Sequence, residues 1–187
     1  MSNIPEADQS NPEVAAVLYM VRQKRGMLGS LHKRMAHVPA LVEAFEAFSS
    51  SVHKLPIEFE VFALVVLRTV QLIEDNYEWP ICVSLAQKAG LVDAKIIELW
   101  DWRNSSHFSP RQKAALAIID EHCLERPATR TATATARAHL TDPEIVAVCT
   151  VMGWFLLIGT FTTPLALIQE NPAAPVLVAL DARTHAN

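Results

Sequence analysis

The stretch LRTVQLIEDNYEWPICVSLAQKAGL, residues 67–91, holds the end of one apolar helix, a polar joint and a second helix. Working back from Leu67, the apolar residues Phe59, Phe62, Val66, Val70 and Ile73 recur at spacings of three and four, the period of a helix face. Further apolar residues fill the other faces, so a buried central helix is expected, opened by Pro56 and ending near Glu74. Pro80 constrains the joint. In a helix interior proline removes a hydrogen bond and clashes with the preceding turn, at a cost of about 3 kcal/mol. In the first turn it costs little, because those N–H groups have no intrahelical partner. The second helix should therefore start at Asn76 or Tyr77 and stop near Gly90, with Glu78 in its first turn.

Outward from this joint the punctuation is helical throughout. Asn11-Pro12-Glu13 supplies an N-cap, a proline at the first position and an acid in the first turn, and the basic run Arg22, Lys24, Arg25 before Gly26 suits a helix end. A helical stretch over residues 28–36 follows, then one after Pro39 with Leu41, Phe45 and Phe48 at helical spacing. Asp93 caps a helix holding Ile96, Ile97 and Trp100. Ser109-Pro110-Arg111-Gln112 and Thr141-Asp142-Pro143-Glu144 have the form of capping boxes opening two more. The alternating ATRTATATARA reads as loop and then a short helix from about Thr133, because no second strand exists to pair with it. The expected architecture is a single all-α domain over residues 1–187: a helical bundle with a core at about 28–170 and arms at 1–11 and 171–187.

Composition sets further bounds. Half of the 187 residues are hydrophobic, enough for a sizeable core, and the formal net charge of −4 is mild. No basic run interleaved with aromatics is present, which argues against nucleic acid as a partner. Cys82, Cys123 and Cys149 form neither a C-x-x-C nor a disulfide framework, and that usage fits a reducing, cytoplasmic setting. Residues 145–168 carry no charge and are long enough to span a bilayer. Thr160, Thr162, Thr163 and Pro164 near one end, and the lack of flanking basic residues, favour a core or intersubunit helix over a membrane span. So much apolar surface predicts a homo-oligomer. No metal-ligand spacing is found, and no cofactor is expected.

The chemistry is expected at the joint. A carboxylate in an apolar setting has a raised pKa suited to proton transfer near neutrality, although the positive helix end pulls the other way. Cys82 stands at i+4 from Glu78 and shares its helix face. An acid cluster at a helix start also has a purely structural reading, since the dipole favours it. Arg68, in an apolar helix, must be paired. It is either half of a structural ion pair or the anchor of a substrate carboxylate. His37, Tyr77, Trp79 and Trp154 complete the expected substrate-binding set, each with a core, cap or surface alternative. His107 lies in a polar loop.

The stretch quoted above resembles the core motif of the carboxymuconolactone decarboxylase family, which includes AhpD-like alkylhydroperoxidases. The matching residues are Leu67-Arg68, Tyr77-Glu78-Trp79 and Ala89-Gly90-Leu91, with the His37–Pro39 region, Phe108-Ser109-Pro110-Arg111, Asp120-Glu121-His122 and Thr141-Asp142 before the long apolar helix with Gly153. The resemblance implies an AhpD-like all-α fold and homo-dimers, trimers or hexamers. It also implies cofactor-independent acid–base catalysis on a small cyclic or carbonyl acid, a decarboxylase-like lyase or isomerase with Glu78 moving the proton. Where the family motif places a histidine four residues after the glutamate, this chain has Cys82. The peroxidatic C-x-x-C is missing, and an expected asparagine falls near the apolar Leu156. A non-catalytic ligand-binding or scaffold oligomer and a weak thiol peroxidase are the alternatives.

Overall fold

The computed structural model describes residues 4–124 and 131–168. It contains nine α-helices among the described residues: α1 Pro12–Arg25, α2 Ser30–Met35, α3 Pro39–Val52, α4 Phe59–Leu72, α5 Glu78–Lys88, α6 Asp93–Ile97, α7 Pro110–Cys123, α8 Ala132–Ala136 and α9 Asp142–Thr162. A 3₁₀ turn, Glu98–Asp101, follows α6, and no strand occurs among the described residues. The carboxy-terminal arm expected at 171–187 lies outside them.

Local chemistry explains most boundaries. Asn11 accepts the Glu13 N–H at the start of α1, and Gly26 closes that helix at φ 77°, a left-handed conformation that glycine adopts without strain. Both expected capping boxes form, Ser109 with Gln112 and Thr141 with Glu144. Two boundaries differ from expectation. The helix expected from Pro56 starts at Phe59, whose side chain is exposed. Val92, not Asp93, is the N-cap of α6, with Asp93 in its first turn, and Trp100 sits in the 3₁₀ turn. Helix α4 ends at Leu72, near Glu74 as expected, and Glu74 takes a left-handed φ of 54°.

Helix α4 is the axis of the core. Nine of its residues in unbroken sequence, Ala63 to Gln71, are buried, because α9, α7 and α5 cover it from different sides. Helix α3 joins α1 and α2 to α9. Helix α9 is long and apolar enough to cross a membrane by length and composition alone. Its inner face, with Val148, Val151, Phe155 and Ile158, is buried against protein instead, which is the packing of a core helix.

Candidate functional site

Asp75 and Glu78, three residues apart, take different roles. Asp75 is almost fully buried and accepts the backbone N–H groups of Tyr77 and Glu78 at 3.0 and 3.1 Å. Its other carboxylate oxygen accepts the Thr162 hydroxyl at the far end of α9. Asp75 thus satisfies the open N–H groups at the start of α5, the structural role foreseen for an acid in this cluster. Glu78 is spared that duty. Its side chain is buried, and burial together with the negative charge of Asp75 raises its pKa to about 7, against weaker lowering by the Cys82 hydrogen bond and Arg25.

Glu78 forms part of the wall of a cavity of about 420 Å³ between the first turns of α5, helix α2 and the end of α1. Tyr77, Ile81 and Leu85 line it from α5 and its N-cap, Gly29 and His32 from α2 and its N-cap, and Arg25 from α1. Lys88 also borders it. The walls are largely apolar, with acid, base and cation chemistry at separate points, the composition of a small-molecule site.

Cys82 donates toward Glu78 Oε2 at 3.8 Å. Its thiol does not line the Glu78 cavity. It faces a recess of about 80 Å³ with Val66, Ala86 and Phe155. Burial and the neighbouring Glu78 and Asp75 carboxylates push its pKa well above the ordinary thiol value. The three cysteines are all free thiols.

The expected binding set separates. Tyr77 lines the cavity. Arg68 does not: its Nε donates to Asp120 Oδ1 at 2.7 Å and its Nη1 to Gln71 Oε1 and Leu99 O, all buried. Its guanidinium is consumed by structure, so the anion-clamp role falls away. His37 is exposed and bonds Pro5 O at 3.1 Å, as a surface histidine does. Trp79 is a core residue at 3% exposure. Trp154 packs on Phe45 and Phe48 with ring centroids 4.3 and 5.3 Å apart. Neither tryptophan borders the cavity. His107 pairs with Glu98 at 2.9 Å in an exposed loop.

Sequence reasoning passed over His32, Arg25, Lys88 and Gly29. One signal was available: Glu46 stands on the apolar stripe of α3 with Val42, Phe45 and Ser49, and an acid there needs partners. Those partners are Lys24 at 3.0 Å, Arg25 at 2.6 Å and His32 at 3.1 Å. Burial would raise the Glu46 pKa, but the hydrogen bonds and charges of Lys24 and Arg25 outweigh it and hold the carboxyl below its ordinary value.

Comparison with known proteins agrees with this architecture. The model of the carboxymuconolactone decarboxylase family matches residues 39–121. A protein of unknown function from Agrobacterium tumefaciens, a candidate antioxidant-defence protein AhpD, aligns with TM-score 0.68 at 22% identity over 73% of this chain and 95% of its own. The apo debrominase Bmp8 aligns with TM-score 0.76 at 14% identity over 92% and 94%, and a cysteine-to-alanine variant of it bound to 2,3,4-tribromopyrrole is similar. An AhpD-core, peroxidase-related protein from Ralstonia eutropha JMP134 aligns with TM-score 0.69 at 17% identity over 91% and 93%. At these identities the likeness is one of fold. No curated protein matches the sequence. Residues 39–121 thus match the carboxymuconolactone decarboxylase family, and the helical architecture around them is the AhpD-like fold.

Proposed function

We propose that the chain is a cofactor-independent acid–base enzyme, a decarboxylase-like lyase or an isomerase of a small cyclic or carbonyl acid, working as a homo-oligomer. Glu78 is the proton-transfer group. The observation that carries this reading is a buried carboxyl with a pKa of about 7 in the wall of an apolar cavity. A general acid is most effective when its pKa lies near the working pH. Lys88 and Arg25 border the same cavity and favour an anionic substrate. In a decarboxylation the carbon–carboxylate bond breaks and its electron pair passes into a conjugated carbonyl as an enolate. Glu78 then gives its proton to carbon as carbon dioxide leaves.

The test is carbon dioxide release, with deuterium uptake into the product, on γ-lactone carboxylates and cyclic 2-oxo acids. Glu78→Gln should lower turnover by about 10²–10⁴-fold with binding retained. Turnover at the parent level removes Glu78 from the mechanism. Binding without turnover in the parent favours the ligand-binding oligomer.

A thiol reaction is the second reading, favoured by the Cys82–Glu78 contact, in which Glu78 would take the thiol proton. One fold neighbour is a debrominase and another is peroxidase-related. The raised thiol pKa and the small recess around Cys82 weigh against it. Hydroperoxide consumption that survives in Cys82→Ala removes Cys82 from that reading.

A further inference from the structure

His32 is the other proton-handling group of the Glu78 cavity. Only 8% of its surface is exposed, and it lies on α2 while Glu78 lies on α5. Its Nε2 faces Glu46 Oε1 at 3.1 Å. The ionised Glu46 carboxylate only accepts, so Nε2 carries the ring proton and Nδ1 of the neutral ring is a bare acceptor. That Nδ1 is buried and has no hydrogen-bond partner among the described residues. A buried acceptor without a partner is destabilising, so its retention calls for an explanation.

Gly29 supplies one. It lies in the cavity wall, and a Cβ there would stand 3.1 Å from the Tyr77 hydroxyl and 3.8 Å from His32 Nδ1. The absence of a side chain on Gly29 lets the Tyr77 hydroxyl and His32 Nδ1 lie close to one another in the same part of the cavity wall, where one ligand would meet both. The carboxylate behind the ring is itself clamped by Lys24 and Arg25, which fixes the ring orientation.

We propose that His32, oriented by Glu46, is the second proton-transfer group of this cavity, and that the cavity takes a small, mostly apolar weak acid presenting a hydroxyl, enol or activated C–H hydrogen to His32 Nδ1. This rests on the reading of the cavity as the acid–base site of Glu78. The titratable and charged groups around His32 are Glu46 from α3 in direct contact, Arg25 from α1, Lys24 through its pair with Glu46, and Tyr77 and Glu78, which line the same cavity. Burial first, and the Arg25 charge second, lower the His32 pKa against the opposing pull of Glu46. Carboxyl and imidazole thus stand in reverse of their usual order: near neutrality Glu78 holds a proton to give while His32 is free to take one. One proton passes from the ligand to Nδ1 and one from Glu78 to the ligand, with no other reactant.

The test is nitrogen NMR of the full chain carrying ¹⁵N-histidine, titrated with phenol as the weak-acid probe. The His32 signals are assigned by their loss in His32→Asn or, should that variant fail to fold, by their displacement in Gly29→Ala. At neutral pH Nε2 should be protonated and Nδ1 bare, and phenol should move Nδ1 saturably toward the hydrogen-bonded position. Glu46→Gln should weaken phenol binding by about five- to tenfold. A protonated Nδ1, or an Nδ1 signal unmoved up to the solubility limit of phenol, overturns the proposal. Glu78→Gln separates the two readings. If Nδ1 still responds in that variant while its turnover equals the parent's, only the role of Glu78 fails. If Nδ1 is silent while Glu78→Gln abolishes turnover, only the role of His32 fails.

Discussion

A carboxyl whose folded pKa is about 7 against an ordinary value of 4.5 keeps its proton better in the folded chain than in the unfolded one. Between those two pH values the folded state binds more protons, so stability falls as pH rises through the window and levels off above it. The full span amounts to about 3 kcal/mol. Glu78→Gln removes the titration. Urea melts of parent and variant at pH 5 and pH 8 should show the parent losing stability relative to the variant at the higher pH. Parallel pH profiles would mean that Glu78 ionises as an exposed carboxylate does. His32, whose pKa is lowered, contributes the opposite slope at acid pH, where folding must hold a neutral ring against protonation. The Glu78 environment was legible because both flanks of residues 74–79 are apolar in the sequence. His32 was not, since its meaning comes from Glu46, fourteen positions away on another helix.

Helix ends were legible because their chemistry is local: each capping box lies within four consecutive residues, and Pro80 and Gly90 bracket α5 by their backbone limits alone. Ion-pair partners between helices were not. The acids nearest Arg68 in sequence are Glu74 and Asp75, yet the partner is Asp120 on α7, 52 positions on. Asp120 is fully buried and also accepts Trp102 Nε1 at 3.1 Å and Arg103 Nη1 at 2.6 Å. One carboxylate therefore ties α4, α7 and the turn after α6 together, which is why Arg68 cannot serve the cavity. Asp120→Ala strands the buried Arg68 guanidinium and should cost about 3–5 kcal/mol. Chemical denaturation measures the loss. The phenol response of His32 in the remaining folded protein should be unchanged, because the network does not border the cavity. A loss below about 1 kcal/mol would show that Arg103 and Gln71 suffice to hold the joint.

At the scale of the whole molecule, α9 presents two apolar faces with different fates. Val148, Val151, Phe155 and Ile158 are buried against α4, α7 and α3. Val146, Cys149, Gly153 and Leu157 lie on the outer face, at i, i+3, i+7 and i+11, exposed and without a charge among them. A helix with one face already packed on protein is poorly suited to lipid on all sides, and an uncharged outer stripe suits a second copy of the chain. Gly153 helps, since nothing lies within 4 Å of where its Cβ would be, leaving room for close helix approach. The homo-oligomer should therefore be visible by sedimentation, and Leu157→Lys should shift it toward the monomer. That side chain is 43% exposed in the single chain, so a lysine there costs the fold little while placing an unpaired charge in the contact. A parent protein that sediments as a monomer at high concentration would sink this assembly. A helical Leu157→Lys variant with parental assembly would move the contact to another face.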